Sequence, residues 1–588
     1  MKSKLIASAL LCAAALLAQD PNQAPPFDPN QAPPSDSPVD PNQAPSQDPP
    51  SRVARLDLIQ GQVSFQPATV SDWTAATLNY PMTVGDHLYA DDSARAELHI
   101  GSTAVRLGPR SGLSVLNLDD HLAQIRVDTG AMILRVKYLD DGDAYEIDTA
   151  QGAITILRPG EYRIDTDPDR NATMVTVRSG DAAVSTQGGN FPVHPRQTAY
   201  FAGDGQPPQI QSENPTDPFD LFALDQDRAE DSLPEPRYVS RDMPGWQDLD
   251  RNGQWGNDPS YGPVWRPTTV EAGWAPYRYG HWAWIEPWGW TWIDDAPWGF
   301  APFHYGRWVM AGGGWAWVPG PVAPRPVYAP ALVAFVGGHG FSMAVGVGAG
   351  IGAVAWFPLG PREVFVPAYR VSPVYVNRVN VTTVNVTNIA VVNRTYVNRT
   401  YVTAVDQRTF VSAQPVHRAI MNVPPGAIAR AEIAHSAAVA PQRASVLAHP
   451  GPAVNVPHPS AAIMQRSVVA QHAPAPAAVP FAARQQALHA NPGRPVDPQT
   501  VNSLRRSTPA QAPSVRTLPP SSMPSRPAPQ SGSGNPSGNP PGQFNRPSER
   551  ERPQSQPAVR DERTAPHNEN RQPQKKENNK KREEKKEK

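Results

Sequence analysis

A single cysteine, Cys12, serves the whole 588-residue chain, and it lies inside an apolar N-terminal run. Removal of that run leaves no thiol, which excludes disulfides, thiolate metal sites and cysteine nucleophiles together. Hydrophobic residues are also scarce, at 39% against 70 Pro and 42 Gly, so much of the chain has too little apolar surface to build a core. Two compact domains among long linkers are expected. What is abundant is tryptophan: Tyr279 to Trp308 holds seven of the fifteen, more than an ordinary core of that size requires.

The start, "MKSKLIASALLCAAALLAQD", places Lys2 and Lys4 before an uncharged run from Leu5 to Leu17, then small and polar residues. This layout is that of a secretory signal peptide, assigned to residues 1–18, and it implies export to a bacterial periplasm or cell envelope, or secretion. Leu10 and Leu11 stand where a lipoprotein signal needs small residues before Cys12. Residues 19–51 repeat "DPNQAPP". Proline fixes φ and removes donors, so this is a disordered, semi-rigid spacer. Five N-x-S/T sequons, at Asn171, Asn380, Asn385, Asn393 and Asn398, read as incidental to Asn/Thr-rich strands.

Over 52–203 the pattern turns to period two, as in Ala96/Leu98/Ile100, Met132/Leu134/Val136 and Val175/Val177, punctuated by glycines. An all-β domain follows, and no helical stripe supports a βαβ nucleotide-binding fold. The order "IQGQVSF", "MTVGDHLYADDSARAELHIGSTAVRLG", "RVDTGAMILRV", "YEIDTAQGAITILRPGEYRID" and "TMVTVRSGDAAVS" resembles a FecR domain, named for the ferric citrate regulator. That resemblance implies a short-strand sandwich or solenoid. Regulators of this type carry an anti-sigma segment and a transmembrane helix ahead of the domain. Only the signal-like segment stands there in this chain, so the sigma-factor role is not carried over.

Residues 204–237 form an acidic connector. Between 204 and 258, 13 Asp+Glu face four Arg, and "DPFDLFALDQDRAEDS" reads as a helix capped by Asp217 that packs Phe219, Phe222 and Leu224 on a neighbour. Residues 238–370 are the Trp-rich domain; 14 of 15 tryptophans fall between Trp246 and Trp356. "YGHW" at Tyr279 returns as "YGRW" at Tyr305, and "GWTW" at Gly289 as "GWAW" at Gly314. The unit is about 25 residues, the size of a strand pair or triplet. A weaker copy is "YGPVW" at Tyr261. With "DLDRNGQW" and "VAWFPLGPREVFVPAY", these pieces resemble a tryptophan-rich domain of unknown function that follows FecR domains in exported bacterial proteins.

Residues 371–414, rich in Asn, Thr and Val, read as a β extension or an adhesive ribbon. Residues 415–588 read as a disordered Pro/Ala/Gln-rich tail with short helices near 428–447 and 461–471. The tail carries 24 Lys+Arg against 11 Asp+Glu and ends in a solvated charge run.

Strand alternation puts neighbouring indoles on one face. Trp284, Trp290, Trp292 and Trp317 are therefore candidate glycan contacts by ring stacking, with Asp294 and Asp295 available to sugar hydroxyls. Against this stands a packing reading, in which the tryptophans fill the core of a β domain short of aliphatic residues. Because the tryptophans recur together with Gly and Pro turn residues, packing is favoured. Adjacent Asp294 and Asp295 suit a turn better than glycosidase acids, which flank a substrate. His281 and His304 lack a third ligand, so no metal is expected. "GVGAGIG" at Gly346–Gly352 lacks the helix and acid of a dinucleotide site, and no cofactor is expected. Residues 331–357 contain no charged side chain but seven glycines, which fits buried strands rather than a membrane span.

The expectation is an all-β, two-domain exported protein with long disordered ends and no enzymatic activity, since no nucleophile, base and orienting group appear together. It would bind a protein partner or cell-wall polymer as a scaffold. The alternatives are a glycan or peptidoglycan module using the Trp face, and an extracytoplasmic signalling component. Export and the few aromatics in the basic tail argue against a nucleic-acid partner.

Overall fold

Strands Ala54–Gln60 and Val63–Gln66 begin two different sheets, and the chain crosses between them at Gly61, whose φ of +74° suits glycine. The computed structural model describes residues 48–203, 206–337, 352–380, 396–449, 455–508 and 514–519. The expected signal peptide, most of the expected spacer, the Gly346–Gly352 run but for its last residue, and the charged end lie outside these described residues.

The first sheet runs Pro81–Met82, Ala54–Gln60, Arg95–Ile100, Thr103–Leu107, the second half of Leu122–Val136, Gly160–Asp167, Ala172–Ser179, Gln197–Ala202 and Gln209–Ser212. The second runs Thr74–Ala75, Val63–Gln66, His87–Ala90, Ser111–Leu118, the first half of Leu122–Val136, Ala144–Asp148, Ala153–Ile156, Ala182–Thr186 and Gly189–Val193. Strand Leu122–Val136 thus belongs to both. It changes sheets at Gly130, at φ +77°, where a Cβ would stand 2.3 Å from Ser111 Oγ. The alternating residues read from the sequence, among them Leu98, Ile100, Met132, Leu134, Val175 and Val177, fill the space between the layers. The domain is a sandwich.

Its outer faces are polar, and both are covered. Across the first sheet Arg106, Arg135, Arg163 and Arg178 come from four neighbouring strands. The acidic connector lies over them as the helix Pro218–Asp231, capped by Asp217 as the sequence predicts. Asp227 pairs with Arg106 at 2.7 Å and Arg135 at 3.1 Å, Asp220 with Arg163 and Arg178 at 2.9 Å each, and Asp231 with Arg135 at 2.6 Å. Phe219 and Ala223 pack on Ile133 between these pairs.

The Trp-rich region adds a four-stranded sheet in the order Gly253–Asp258, Gly262–Pro267, Gly314–Val318, Arg307–Ala311, and a separate hairpin, Gly280–Ile285 with Gly289–Asp294. A further sheet pairs Val333–Gly337 with Ala353–Pro358, in line with the buried-strand reading, and adds Thr403–Asp406 and Glu432–Ala434 at its edges.

Thr403–Asp406 lies within the expected β extension, whereas Glu432–Ala434 falls in what reads as tail. Residues 371–380 do not extend the sheet: Ser372 caps a helix, Pro373–Val379. The stretch 381–395 lies outside the described residues. Much of what reads as disordered tail packs on the body, including the helices Arg443–Leu447 and Phe481–Ala490, whereas the helix Pro498–Ser507 buries no residue. Its low hydrophobicity hides this. The segment docks through backbone groups and a few anchors, such as the Val469 amide donating to Thr149 O and the Gln471 amide to Glu146.

Candidate functional site

The tryptophan repeat is a repeat of hairpins. Trp282 lies opposite Trp292 in one copy and Trp308 opposite Trp317 in the next; Trp255 opposite Trp265 forms a third. Trp265 also faces Trp317, so Trp255, Trp265, Trp317 and Trp308 form one row across the four-stranded sheet. Each hairpin makes room for its indole with a glycine. A Cβ on Gly280 would stand 2.7 Å from Trp292 Cζ2, on Gly306 2.6 Å from Trp317 Nε1, and on Gly253 2.2 Å from Trp265 Cε2. The glycine of Y-G-x-W is therefore the seat for the second tryptophan of G-W-x-W.

This arrangement buries the candidate contacts. Trp292 and Trp317 are 0% exposed, Trp284 2% and Trp290 5%. No tryptophan of the chain is exposed; Trp255 and Trp274 are half-buried and the rest buried. The indole N–H groups of these four candidates are spent internally. Trp290 donates to Val439 O at 3.0 Å, Trp317 to Tyr305 O at 2.8 Å, Trp292 to Asp294 Oδ2 at 2.9 Å and Trp284 to Glu286 Oε1 at 3.1 Å. The glycan-platform expectation fails for a specific reason. Phe410, Trp356 and Phe335 cover the hairpin face, with ring centroids 5.3 to 5.4 Å from Trp282. Phe410 belongs to the helix Gln407–Val411, which the sequence reading placed in the β extension.

The two acids separate by burial. Asp294 is buried, takes the Trp292 N–H and the Ala296 amide, and burial pushes its carboxyl well above the usual range. Asp295 is exposed, 4.0 Å from His417. His281 and His304 turn their rings to the backbone carbonyls of Ala448 and Ala329, and burial pushes them down to about 4 and about 3. Neither joins a cluster of three ligating groups among the described residues.

What the adjacent acids mark is a joint. Asn79, at the edge of the sandwich, donates to Asp294 O at 3.0 Å and Ala296 O at 2.7 Å. Arg55 donates to Pro297 O at 2.7 Å and Asp248 Oδ2 at 2.6 Å, and orients Asn79 through its Oδ1 at 3.1 Å. Arg55 and Asn79 are 1% and 0% exposed. Sequence reasoning passed over both. Simple alternation gave no usable signal, because the strand bulges between Leu56 and Leu58: Arg55 lies opposite His99 on the outer face, whereas Ile59 lies opposite the core residue Ala96.

The joint continues into a charged network. Asp57, Glu97 and His99 bring three ligating groups within 4.8 Å, the one such cluster among the described residues. Arg55 pairs with Asp57 at 2.7 Å, and Arg106 and His99 pair with Glu97 at 2.8 and 2.7 Å. A cation entering would meet two guanidiniums, so the set balances its charge without a metal. Burial alone would lower the His99 pKa; Asp57, Glu97 and Glu230 outweigh it and hold it at about 9. Glu97 is raised by burial but held at about 2 by His99 and Arg106.

Residues 246–363 match the model of a family of unknown function, DUF6600. The DUF6600 match spans the three tryptophan hairpins and the joint turn, and covers well under half of the chain. It stops short of the sandwich, where a FecR family model is not detected. No curated protein matches the chain. Two crystal structures of a Parabacteroides distasonis protein described as an anti-sigma factor align with 31% of this chain and 99% of that one, at 12% identity and a TM-score of 0.20. No described helix is long and apolar enough to cross a membrane.

Proposed function

We propose that this chain is an exported, non-enzymatic module of a bacterial cell envelope that engages a protein partner through the open edge of a FecR-like sandwich. The observation that carries the reading is strand Gln209–Ser212. It pairs only with Gln197–Ala202 among the described strands, all four of its residues are exposed, and Ile210 is 47% exposed. An unpaired edge of this kind recruits an added strand, with main-chain hydrogen bonds giving affinity. The FecR reading is supported by the motifs between Ile59 and Gln197, and export by the layout of residues 1–18. The Trp-rich hairpins act as a rigid support rather than as a recognition face, because their indoles are covered.

The test places a photo-crosslinker at Gln211 of the full chain in envelope preparations, with and without Ile210→Asp. The expected result is a discrete protein adduct that Ile210→Asp removes while near-UV circular dichroism is unchanged. Retention of the chain on peptidoglycan or envelope polysaccharide without a protein adduct overturns the reading in favour of a polymer-binding module. An adduct that proves to be a membrane receptor supports the signalling form of the same reading.

A further inference from the structure

On the outer face of the second sheet lies a cavity of about 1010 Å³. Its floor is a row across four neighbouring strands: Gln66 lies opposite His87, His87 opposite Ser114, and Ser114 opposite Arg126. One wall is Trp73, its indole stacked on His458 at 5.4 Å and 11°. Another is the segment 475–482, pinned where Ala475 donates to Leu116 O at 3.0 Å and Phe481 to Thr69 O at 2.8 Å. Val70, Val84 and Leu116 complete an apolar side.

The lining is chemically one-sided. It includes Arg126, Arg443, His87 and His458, and no Asp or Glu. The carboxylates that pair with the two arginines, Asp128 and Asp72, stand outside it. Ser114 Oγ and His87 Nδ1 have no hydrogen-bond partner among the described residues. Buried polar atoms normally find partners, so these two leave hydrogen-bonding capacity unmet next to the cavity, just beneath its surface rather than on it.

We propose that this cavity binds a small organic anion, an apolar ring or chain carrying a carboxylate. The walls take the apolar body, and the donor-rich floor and rim take the carboxylate oxygens. An organic cation of the same shape would meet two guanidiniums and no acid. His87 fits this assignment: burial, then Arg126, push its pKa down to about 4, and an anion beside it would oppose both.

The test uses the full chain and three probes with one ring system: 2-naphthoate, 2-naphthalenemethanol and 2-naphthylmethylammonium, titrated by calorimetry. Naphthoate should saturate a single site, with the ammonium probe weaker by about tenfold or more. Val70→Trp, which fills the apolar side, and Arg443→Glu, which reverses charge at an exposed rim, should each weaken naphthoate by a similar factor. Hydrogen exchange at the Ala475 and Phe481 amides should slow on binding. Equal binding of all three probes, no saturable binding, or unchanged affinity in both variants overturns the proposal; the last would place the anion on the basic tail. Should Val70→Trp misfold, Arg443→Glu decides, since that side chain is 61% exposed.

Discussion

At the scale of single residues, the tryptophan repeat depends on its glycines as much as on its indoles. Gly306 sits at φ +65° under Trp317, with Val318 O only 2.5 Å from where a Cβ would stand. Neither a backbone carbonyl nor a buried indole can yield cheaply. Gly306→Ala should therefore cost on the order of 1–3 kcal/mol from overpacking, with a further ~1 kcal/mol of backbone strain, read as a lower urea midpoint. An alanine at Gly313, where nothing lies within 4 Å, shares the positive φ without the clash and separates the two contributions. The pairing of Y-G-x-W with G-W-x-W was legible in the sequence as a repeat. That the glycine is a seat for the indole was not, because it depends on the cross-strand register.

At the scale of elements, the connector helix is an electrostatic cover for a sheet face. Its acids alternate with Phe219 and Ala223 so that one helix side meets both the arginine row and Ile133. Asp220 is 1% exposed and serves two arginines, and removing it leaves both partly uncompensated. Asp220→Ala should cost on the order of 3 kcal/mol and expose the Pro218–Asp231 amides to hydrogen exchange. The sequence made this helix readable through Asp217, Pro218 and the acidic run. It made the sandwich strands readable too, because each buries one face and alternation survives. From 403 onward the sequence was readable only in part: the short helices expected near 428–447 and 461–471 contain Arg443–Leu447 and Ala461–Met464, but how these segments attach to the body was not legible. Thr403–Asp406 and Glu432–Ala434 are too short for periodicity, and they join a sheet by backbone pairing, which leaves little mark on composition.

At the scale of the whole molecule, the network around His99 ties three parts together. The ring bonds Glu97 in the sandwich, faces Glu230 of the connector helix, and meets the Gln247 side-chain amide of the Trp-rich region at 3.2 Å. Its folded pKa of about 9 lies above the unfolded value near 6.5. The stability it contributes is therefore complete below about pH 6.5 and is lost as pH rises through about 9, at most ~3 kcal/mol. Urea midpoints should fall between pH 7 and 10, and His99→Gln should flatten that fall. A wild-type curve no steeper than the variant's would refute the linkage.

Strand Leu122–Val136 hydrogen-bonds to neighbours in both layers: Ser111–Leu118 and Ala144–Asp148 along its first half, Thr103–Leu107 and Gly160–Asp167 along its second. The sandwich consequently has no seam along which its halves could part. A tug on one layer is delivered to the other through continuous covalent chain rather than through side-chain packing alone. Were a partner to dock on the open strand Gln209–Ser212 as proposed, load passed inward from that edge would be shared by both layers rather than parting one from the other.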